Sequence, residues 1–399
     1  MVVNEICDKS FCTACYSCYN SCSANCIEMK LDEDGSIRPH IDSDRCIGCA
    51  QCQKHCPVNN MPEFNSVKRT VAAFSKNADI NKSSTSGGIA TLLSLDAVRK
   101  GGIVFSSRIT DELSVEMNRC DNESDVLLSQ GSKYVHSHVN DSFRKIKNDL
   151  ESGKEILAIS TPCQISGLKA FLQKNYEKLY TVDIICHGTP DQNTFLEYTK
   201  NEFKDEISRV CDVKFRDSTP FITGINYILE YFDKDKKLLK YLPVRISSYY
   251  WCFLYGYSFR ENCYHCMYAK KDRVSDITLG DFWGFDDKKF MKKKNSGISL
   301  VLINTEKGQQ LFDRIKANLE YTESRLDKAI AGNHHLSAPE KFGVEAQLFK
   351  KLSTEKGVVY ALEHCDEKTY KLSKIRKFVY NHKALLGFLV KIPIIKEKL

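Results

Sequence analysis

The stretches "CTACYSCYNSC" (12–22) and "CIGCAQCQKHCP" (46–57) both space their cysteines as Cys-x2-Cys-x2-Cys-x3-Cys. This spacing is typical of short loops that bind 4Fe-4S clusters. Three cysteines of the loop bind one cluster, and the helical turn that follows places the fourth cysteine away from it. Ten of the eighteen cysteines lie within the first 56 residues. The sequence therefore predicts an α+β dicluster 4Fe-4S ferredoxin domain over residues 1–62.

The fourth cysteine of each run is expected to ligate the cluster of the other run. This crossed arrangement assigns one cluster to Cys12, Cys15, Cys18 and Cys56, and the other to Cys46, Cys49, Cys52 and Cys22. Two zinc sites are the alternative, but zinc sites use Cys-x2-Cys pairs that are set well apart. Ser23 stands where such ferredoxins carry proline, and Cys7 and Cys26 are interpreted as buried thiols outside both ligand sets.

Composition limits where the protein works and what it binds. A chain of 399 residues with 42% apolar content can bury a core without disulfide bonds, and its first residues contain no secretory signal. Clustered cysteines then indicate metal binding or catalysis in a reducing, cytoplasmic location. The formal charge of +7 is nearly cancelled by two or three oxidised clusters of about −2 each. Since no segment interleaves arginines with aromatic residues, we expect no nucleic-acid binding.

A polar segment near residues 58–69 is interpreted as a linker. It precedes a region of alternating strands and helices, which we divide into residues 70–155 and 156–330. The stretch "KSSTSGGIATLLSLDAVRKGGIVFSS" (82–107) predicts a Ser/Gly loop, a helix with apolar residues from Ile89 to Val98, and a strand. Gly101 and Gly102 end the predicted helix. A Ser/Gly loop that opens a helix offers backbone donors to an anion, although an ordinary helix cap explains it equally well.

Two later segments, "EILAISTPCQISGLKAFL" (155–172) and "LYTVDIICHGTPDQNTFLEY" (179–198), each predict an apolar strand, a cysteine-bearing turn and a helix. The carboxyl ends of neighbouring parallel strands share one edge, so Cys163 and Cys186 can face the same site. Together with the later pair Cys263 and Cys266, they supply four thiolates for a third 4Fe-4S cluster. Three alternatives remain open: a reactive Cys163 or Cys186 with His187 as proton donor, half of a zinc site at the later pair, and inert buried cysteines.

Several motifs, taken in order, resemble the beta subunits of coenzyme F420-reducing hydrogenases and dehydrogenases. They are "SSTSGGI", "GSKYVHS", "TPCQISGL", "VDIICHGTP", "FRD", "CYHC" and "SDITLGDFWG". The resemblance implies an α/β domain that binds FAD beside an iron-sulfur cluster, with Cys163, Cys186, Cys263 and Cys266 at the cluster positions. It also implies flavin contacts at Ser84, Ser86, Gly87, Gly88, Lys133 and Tyr134. His187 is the nearest candidate for the catalytic proton donor, although a histidine after a strand is often a structural hydrogen-bonding residue.

The resemblance implies an oxidoreductase that passes electrons from ferredoxin or another low-potential donor to a flavin and on to a small-molecule acceptor. A flavin is needed because each cluster carries one electron while the acceptor takes two. The acceptor stays open, since relatives include hydrogenase subunits, chlorophyll-pathway reductases and proteins encoded beside surface-polysaccharide genes. A non-catalytic polyferredoxin-type subunit is the main alternative. An iron-sulfur sensor acting on DNA is disfavoured, because no helix-turn-helix or basic arm is visible.

Residues 331–399 are predicted to form a helical, basic tail. The stretch "KLSKIRKFVYNHKALLGFLVKIPIIKEKL" (371–399) predicts one basic helix, whose apolar run from Leu385 to Ile395 is shorter than the roughly 20 residues of a membrane span. We expect this helix to pack against the catalytic domain or another subunit, ahead of peripheral contact with a membrane surface.

Overall fold

The computed structural model describes residues 3–217, 226–291 and 297–381. At the N-terminus, the helices α1 (Ser17–Ser21) and α2 (Gln51–Lys54) flank an antiparallel hairpin of β1 (Ile27–Leu31) and β2 (Ile37–Ile41). Each helix carries the third cysteine of its run at its second position. The predicted ferredoxin module is therefore present as two similar helical halves joined by a hairpin.

The remainder of the described chain contains eleven further strands. They are β3 (Arg69–Ser75), β4 (Ile103–Ile109), β5 (Val115–Cys120), β6 (Ile156–Ser160), β7 (Leu179–Ile184), β8 (Asp212–Asp217), β9 (Asn226–Phe232), β10 (Leu238–Pro243), β11 (Ile277–Asp281), β12 (Ser299–Ile303) and β13 (Leu319–Ser324). Eight of them form the main sheet in the order β13-β3-β12-β11-β7-β6-β4-β5. Strands β8, β9 and β10 form a separate antiparallel sheet.

The main sheet is mixed rather than purely parallel. Strands β4, β6, β7 and β11 are parallel neighbours, whereas β12, β13 and β5 run antiparallel to the strands beside them. The predicted parallel arrangement of the two cysteine-bearing strands, β6 and β7, is confirmed. The carboxyl ends of β3, β6, β7 and β11 therefore meet along one edge, which is where α/β sheets place their ligand sites.

The described part of the chain contains fourteen further helices, which pack on both faces of the main sheet and around the small sheet. They are α3 (Ala78–Ser83), α4 (Ile89–Arg99), α5 (Glu123–Leu128), α6 (Ser142–Glu151), α7 (Pro162–Leu172), α8 (Gln192–Phe203), α9 (Ser248–Leu254), α10 (Glu261–Tyr264), α11 (Lys288–Met291), α12 (Glu306–Ile315), α13 (Leu326–Gly332), α14 (Val344–Lys356), α15 (Val358–His364) and α16 (Glu367–Asn381). On β4, Val104 packs into the core under α4 and α12, and its neighbour Phe105 packs into the core under α6 and α7. Successive strand residues point to opposite faces, so β4 supports two hydrophobic cores at once.

A further core lies around the small sheet. It is rich in aromatic residues from α8, α9 and strand β9, including Tyr198, Tyr231, Tyr249 and Trp251. Aromatic side chains bury a large apolar area with few rotatable bonds, so this core gives the region a rigid support. Helices α14 and α15 pack against it through Phe349 and Leu362.

Partly buried polar contacts join the ferredoxin module to the main sheet domain. Arg144 on α6 donates hydrogen bonds to the carbonyl oxygens of Asn20, Tyr19 and Cys22 at 2.8, 2.9 and 3.0 Å. The segment predicted as a polar linker is also fixed in place, because Asn65 exchanges two backbone hydrogen bonds with Arg273 at 2.7 and 2.9 Å. The polar segment near residues 58–69 is therefore tied to the main sheet domain at Asn65.

The tail begins as predicted, with helices α14, α15 and α16. Helix α16 covers the first part of the predicted basic helix, and the apolar run from Leu385 to Ile395 lies outside the described residues. Within the described part of the chain, no helix has both the length and the apolar character needed to cross a membrane.

Candidate functional site

The ferredoxin module brings together both of the predicted crossed cysteine sets. Cys22 of the first run lines one cavity with Cys46, Cys49 and Cys52 of the second run. In the other set, burial and then the charges of neighbouring cysteines, Cys12 and Cys56 among them, raise the pKa of both Cys15 and Cys18. Such mutual repulsion requires the four thiols to be close neighbours.

The two cysteine loops have the same backbone shape. Ala14 and Tyr16 have φ angles of 47° and 65°, and the matching residues Gly48 and Ala50 have φ angles of 68° and 55°. These four residues flank the second cysteine of each run. Non-glycine residues adopt left-handed conformations only where the surroundings impose them, at a cost of about 1–2 kcal/mol each. The recurrence of this shape in two different sequences fits two clusters held in the same way.

Cys7 and Cys26, predicted to lie outside the ligand sets, each lie beside one of them. The Sγ atoms of Cys26 and Cys22 are 3.4 Å apart. A hydrogen bond from Cys7 lowers the pKa of Cys12 to about 6 and also lowers the pKa of Cys56. Both extra thiols therefore contact predicted ligands, which their positions in the sequence did not reveal.

We expect Cys22→Ser and Cys26→Ser to have different effects on iron content. Because Cys22 is predicted to be the crossed ligand, its serine variant should lose about four iron atoms per chain, the content of one cubane cluster. Cys26→Ser should keep all of its iron, because it removes only a neighbouring thiol. Iron and acid-labile sulfide assays on anaerobic protein measure this difference. If only Cys26→Ser lost iron, Cys26 would be the ligand and Cys22 the neighbouring thiol.

A third group of cysteines lies at the carboxyl edge of the main sheet. Cys163, Cys186, Cys263 and Cys266 all line one cavity there. Cys163 lies in the first turn of α7 rather than in the turn before it, because Pro162 begins the helix one residue earlier. Cys186 follows β7 by two residues. The structure thus brings together all four cysteines that the sequence placed in separate segments.

The chemistry of this cavity fits an iron-sulfur cluster. Burial, followed by repulsion from neighbouring cysteines, raises the pKa of Cys263 to about 12. Burial also raises the pKa of Cys163 to about 11. Thiols in such a group ionise only if bound cations offset their charges, which iron does on binding. Five further polar atoms of this cavity's lining residues are buried and lack a hydrogen-bond partner within the described residues: Thr13 Oγ1, His136 Nδ1, Arg260 Nε, the Tyr268 hydroxyl and His335 Nε2. The N–H of Arg260 suits a cluster sulfide as its acceptor.

Helix α7 connects this cavity to the ferredoxin module. A Cβ atom added at Gly167 would lie 2.7 Å from Cys15 Cβ and 2.8 Å from Cys15 Sγ, which real contacts do not allow. Only glycine therefore lets α7 lie against the first cysteine loop. Cys163 lies one turn earlier on the same helix, so two predicted cluster sites contact successive turns of α7.

A cleft of about 580 Å³ adjoins the cysteine cavity. Five of the six predicted flavin contacts line it: Ser84, Ser86, Gly88, Lys133 and Tyr134. The sixth, Gly87, lies behind the loop, where its N–H donates to Ser299 Oγ at 2.9 Å. A Cβ at Gly87 would lie 2.4 Å from the carbonyl oxygen of Ala73. The prediction for Gly87 is therefore corrected: this glycine lets the loop pack closely on β3.

The side chains of Lys133 and Tyr134 are held by the protein itself. Lys133 Nζ donates to the carbonyl oxygens of Ser129, Gln130 and Gly131 at 2.7, 3.0 and 3.1 Å. Burial lowers the pKa of Lys133 to about 8. The Tyr134 ring stacks on Phe253 with a centroid distance of 4.6 Å. Lys133 thus closes the end of α5, and Tyr134 forms an aromatic wall of the cleft.

His187 lines both the cysteine cavity and the cleft. Its Nε2 lies 3.2 Å from the carbonyl oxygen of Leu254, and burial lowers its pKa. The ring of His335 is 4.6 Å away, and a side-chain oxygen of Glu340 lies 3.7 Å from His335 Nε2. Sequence motifs did not reveal His335 or Glu340, because both follow His187 by about 150 positions and lie in no recognisable pattern.

Two family models match the chain. Residues 153–329 match the family model for the carboxyl-terminal part of the "Coenzyme F420 hydrogenase/dehydrogenase, beta subunit", and residues 11–60 match the "4Fe-4S dicluster domain". The first match contains all four cysteines of the third cavity, and the second contains both predicted crossed sets.

Two curated proteins and one solved structure are similar to most of the chain. The F subunit of F(420)H(2) dehydrogenase from Methanosarcina mazei is 22% identical over 335 residues, which is 80% of this chain and 87% of that protein. Coenzyme F420-dependent sulfite reductase of Methanocaldococcus jannaschii is 25% identical over 339 residues, and the alignment spans only 49% of that protein. A chain of the F420-reducing [NiFe] hydrogenase complex from Methanosarcina barkeri aligns with a TM-score of 0.45 and 18% identity, covering 68% of this chain and 91% of that one. The chain is therefore similar, over residues 153–329, to the carboxyl-terminal part of coenzyme F420 hydrogenase/dehydrogenase beta subunits, and over residues 11–60 to 4Fe-4S dicluster domains.

Proposed function

We propose that this chain is a flavin-dependent iron-sulfur oxidoreductase, which takes single electrons from a low-potential donor and delivers two of them to a small-molecule acceptor. One observation carries the proposal: the cysteine cavity and the cleft share lining residues. They are Thr161, Cys186, His187, Gly188, Thr189 and His335. A molecule in the cleft would therefore lie directly beside the four cysteines, as electron transfer between the two sites requires.

The cleft is suited to FAD by size and by its donors. Its volume lies within the range of roughly 300–1,000 Å³ that is usual for small-molecule sites. Helix α4 begins at the cleft with Gly88 as its N-cap and no side-chain cap, so its first N–H groups are left to a ligand anion such as a diphosphate. Bound FAD would supply the conversion between one-electron and two-electron transfer. Tyr134 and Phe253 offer it an aromatic surface.

Electrons are proposed to enter through the ferredoxin module. Cys49 is exposed, and the neighbouring Ile47 is a large exposed apolar side chain, so this part of the second cysteine loop is open to a donor protein. The first cysteine loop lies deeper and contacts α7 at Gly167. We propose that electrons pass from the second cysteine run to the first, then to the cysteine cavity and finally to the cleft. This order follows the contacts from the surface of the protein inward.

His187 is proposed to relay a proton to the bound electron acceptor through Nδ1. Burial favours its neutral imidazole, and Nε2–H donates to the carbonyl oxygen of Leu254, so Nδ1 is the unprotonated nitrogen that takes up the proton before passing it on. The acceptor is proposed to be a two-electron carrier or substrate. The relatives named for coenzyme F420 support a deazaflavin as one candidate.

The proposal predicts that anaerobically purified protein retains about one flavin and about twelve iron atoms per chain. Flavin released on denaturation and chemical iron assays measure both contents. Full iron without flavin, together with failure to bind added FAD, would favour the alternative of a non-catalytic polyferredoxin-type subunit. The same outcome would remove the proposed role of the cleft.

A pair of glycine variants locates the flavin within the protein. Gly88 and Gly153 have φ angles of 82° and 83°, so alanine imposes a similar backbone strain at either position. Gly88 opens α4 at the cleft, whereas Gly153 lies in a turn with no atom within 4 Å of an added Cβ. We expect Gly88→Ala to lower FAD affinity by about tenfold or more and Gly153→Ala to leave it unchanged. If the two variants bound FAD with equal affinity, the flavin would not bind at the start of α4.

A further inference from the structure

Arg216 is a buried cation in the wall of the cleft. It lies near the end of β8, within the motif "FRD", and its side chain is only 5% exposed. Nη1 donates to Asp281 Oδ2 at 2.7 Å and to the Tyr134 hydroxyl at 3.3 Å. Nη2 is also buried, but it has no hydrogen-bond partner within the described residues. The guanidinium group therefore offers a donor that the described residues around it do not use.

Leaving such a donor unpaired is costly. A buried N–H without an acceptor loses its hydration and gains nothing in return, and the loss is larger for a charged group. The charge itself is secure: burial lowers the pKa of Arg216, but Tyr134 and Asp281 outweigh this and raise it overall. The cation also lies over the ring of Tyr227, 5.1 Å from its centroid. A ligand in the cleft can supply the missing acceptor.

We propose that Arg216 binds an oxyanion, either a phosphate or a carboxylate, in the cleft. Asp281 is the positioning residue, because its ion pair holds the guanidinium group in place before a ligand arrives. Two ligands carry this chemistry: the diphosphate of the flavin, and an anionic group of the electron acceptor. Only the choice between these two ligands rests on the proposed function. The Nη2 donor of Arg216 without a partner among the described residues is observed independently of it.

The test uses the complete, cluster-loaded protein freed of flavin, with inorganic phosphate as the probe in isothermal titration calorimetry. Arg216→Gln should weaken phosphate binding by about tenfold or more, because a charge-assisted hydrogen bond is lost. Arg314→Gln is the matched control: Arg314 pairs with Glu155 at 2.6 Å, is partly buried and does not line the cleft. It should bind phosphate as the wild type does.

A second variant separates ligand binding from a merely structural ion pair. Asp281→Asn removes the negative charge that offsets the guanidinium group but keeps a side-chain oxygen that can accept the hydrogen bond from Nη1. The arginine therefore stays in position, and phosphate should bind more tightly if Arg216 is an oxyanion-binding residue. If Arg216 serves only to pair with Asp281, neither variant will alter phosphate affinity, and the inference is overturned. Because Asp281→Asn keeps the arginine, the test stands even if Arg216→Gln does not fold.

The source of the oxyanion follows from FAD binding to the same variants. Loss of FAD from Arg216→Gln identifies the flavin diphosphate, whereas FAD retention with weakened phosphate binding to the flavin-loaded protein identifies the acceptor. If the wild type binds phosphate through Arg216 but takes up no flavin, the proposed function is wrong and the proposal of an oxyanion site still stands. The two failures are therefore distinguishable.

Discussion

Replacing Cys263 with serine is expected to remove about four iron atoms per chain, and replacing Cys163 with serine should remove the same number. The two residues are 100 positions apart, yet they line one cavity, and burial together with repulsion from neighbouring cysteines, Cys163 among them, raises the pKa of Cys263. Loss of one ligand from a buried four-thiolate site leaves the remaining thiols without enough iron to offset their repulsion. Both variants should therefore lose the whole cluster, while the ferredoxin module keeps its electron paramagnetic resonance signals.

The control for these variants is Cys211→Ser. Cys211 is partly exposed and precedes β8, outside the three cysteine groups, so its serine variant should keep all of its iron. A catalytic thiol would behave differently from a ligand, because its variant would keep its iron and lose turnover alone. Iron loss in only one of Cys163→Ser and Cys263→Ser would show that the cavity does not hold one shared cluster.

Replacing Arg260 with leucine is expected to destabilise the protein by about 3–5 kcal/mol. The side chains of Arg260 and Asp191 are 2% and 6% exposed and form a direct ion pair. Arg260 Nη2 also donates to the carbonyl oxygen of Ile37 at 3.1 Å, and the Ile37 N–H donates to Asp191 at 2.9 Å. Leucine would leave the Asp191 carboxylate buried without its cation and would weaken the contact between the ferredoxin module and the sheet domain.

The free energy of unfolding in urea, measured anaerobically, tests this expectation. Arg99→Ala is the control, because Arg99 pairs with Glu123 on the surface and should contribute little. Adding Asp191→Asn to Arg260→Leu should restore part of the lost stability, since the buried charge is then removed. Arg260→Leu and Arg99→Ala variants of equal stability would contradict the stabilising role of this contact.

Local sequence patterns predicted the parts of the site that depend on short spacing. The cysteine runs could be recognised because three ligands of each cluster come from one short loop. The helix and strand on either side of Gly101 could be predicted from hydrophobic periodicity. The mixed sheet could not be predicted in the same way, because β3 pairs with β12 and β13 across more than 200 residues. Strand direction in such pairs depends on the connections rather than on the strand sequences.

The missed residues were hidden for a similar reason. Gly167 appeared as an ordinary helical residue, and its need to be glycine depends on Cys15, which is distant in sequence. His335 lacks a motif and reaches the site only because α13 and the segment after it return to the sheet edge. Gly87 was predicted, with its neighbours, to contact the flavin, but in the structure it packs closely against β3. Contacts between distant segments thus account for most of the differences.

The most direct test of the proposed electron path is the reduction of bound flavin by a reduced ferredoxin, followed anaerobically by stopped-flow absorbance. A protein donor is too large to enter a cleft of about 580 Å³, so its electrons must pass through the protein. We predict that the flavin of the wild type is reduced after the clusters, and that the flavin of Cys263→Ser, restored with FAD where necessary, stays oxidised. Equal rates of flavin reduction in the two proteins would contradict the proposed path.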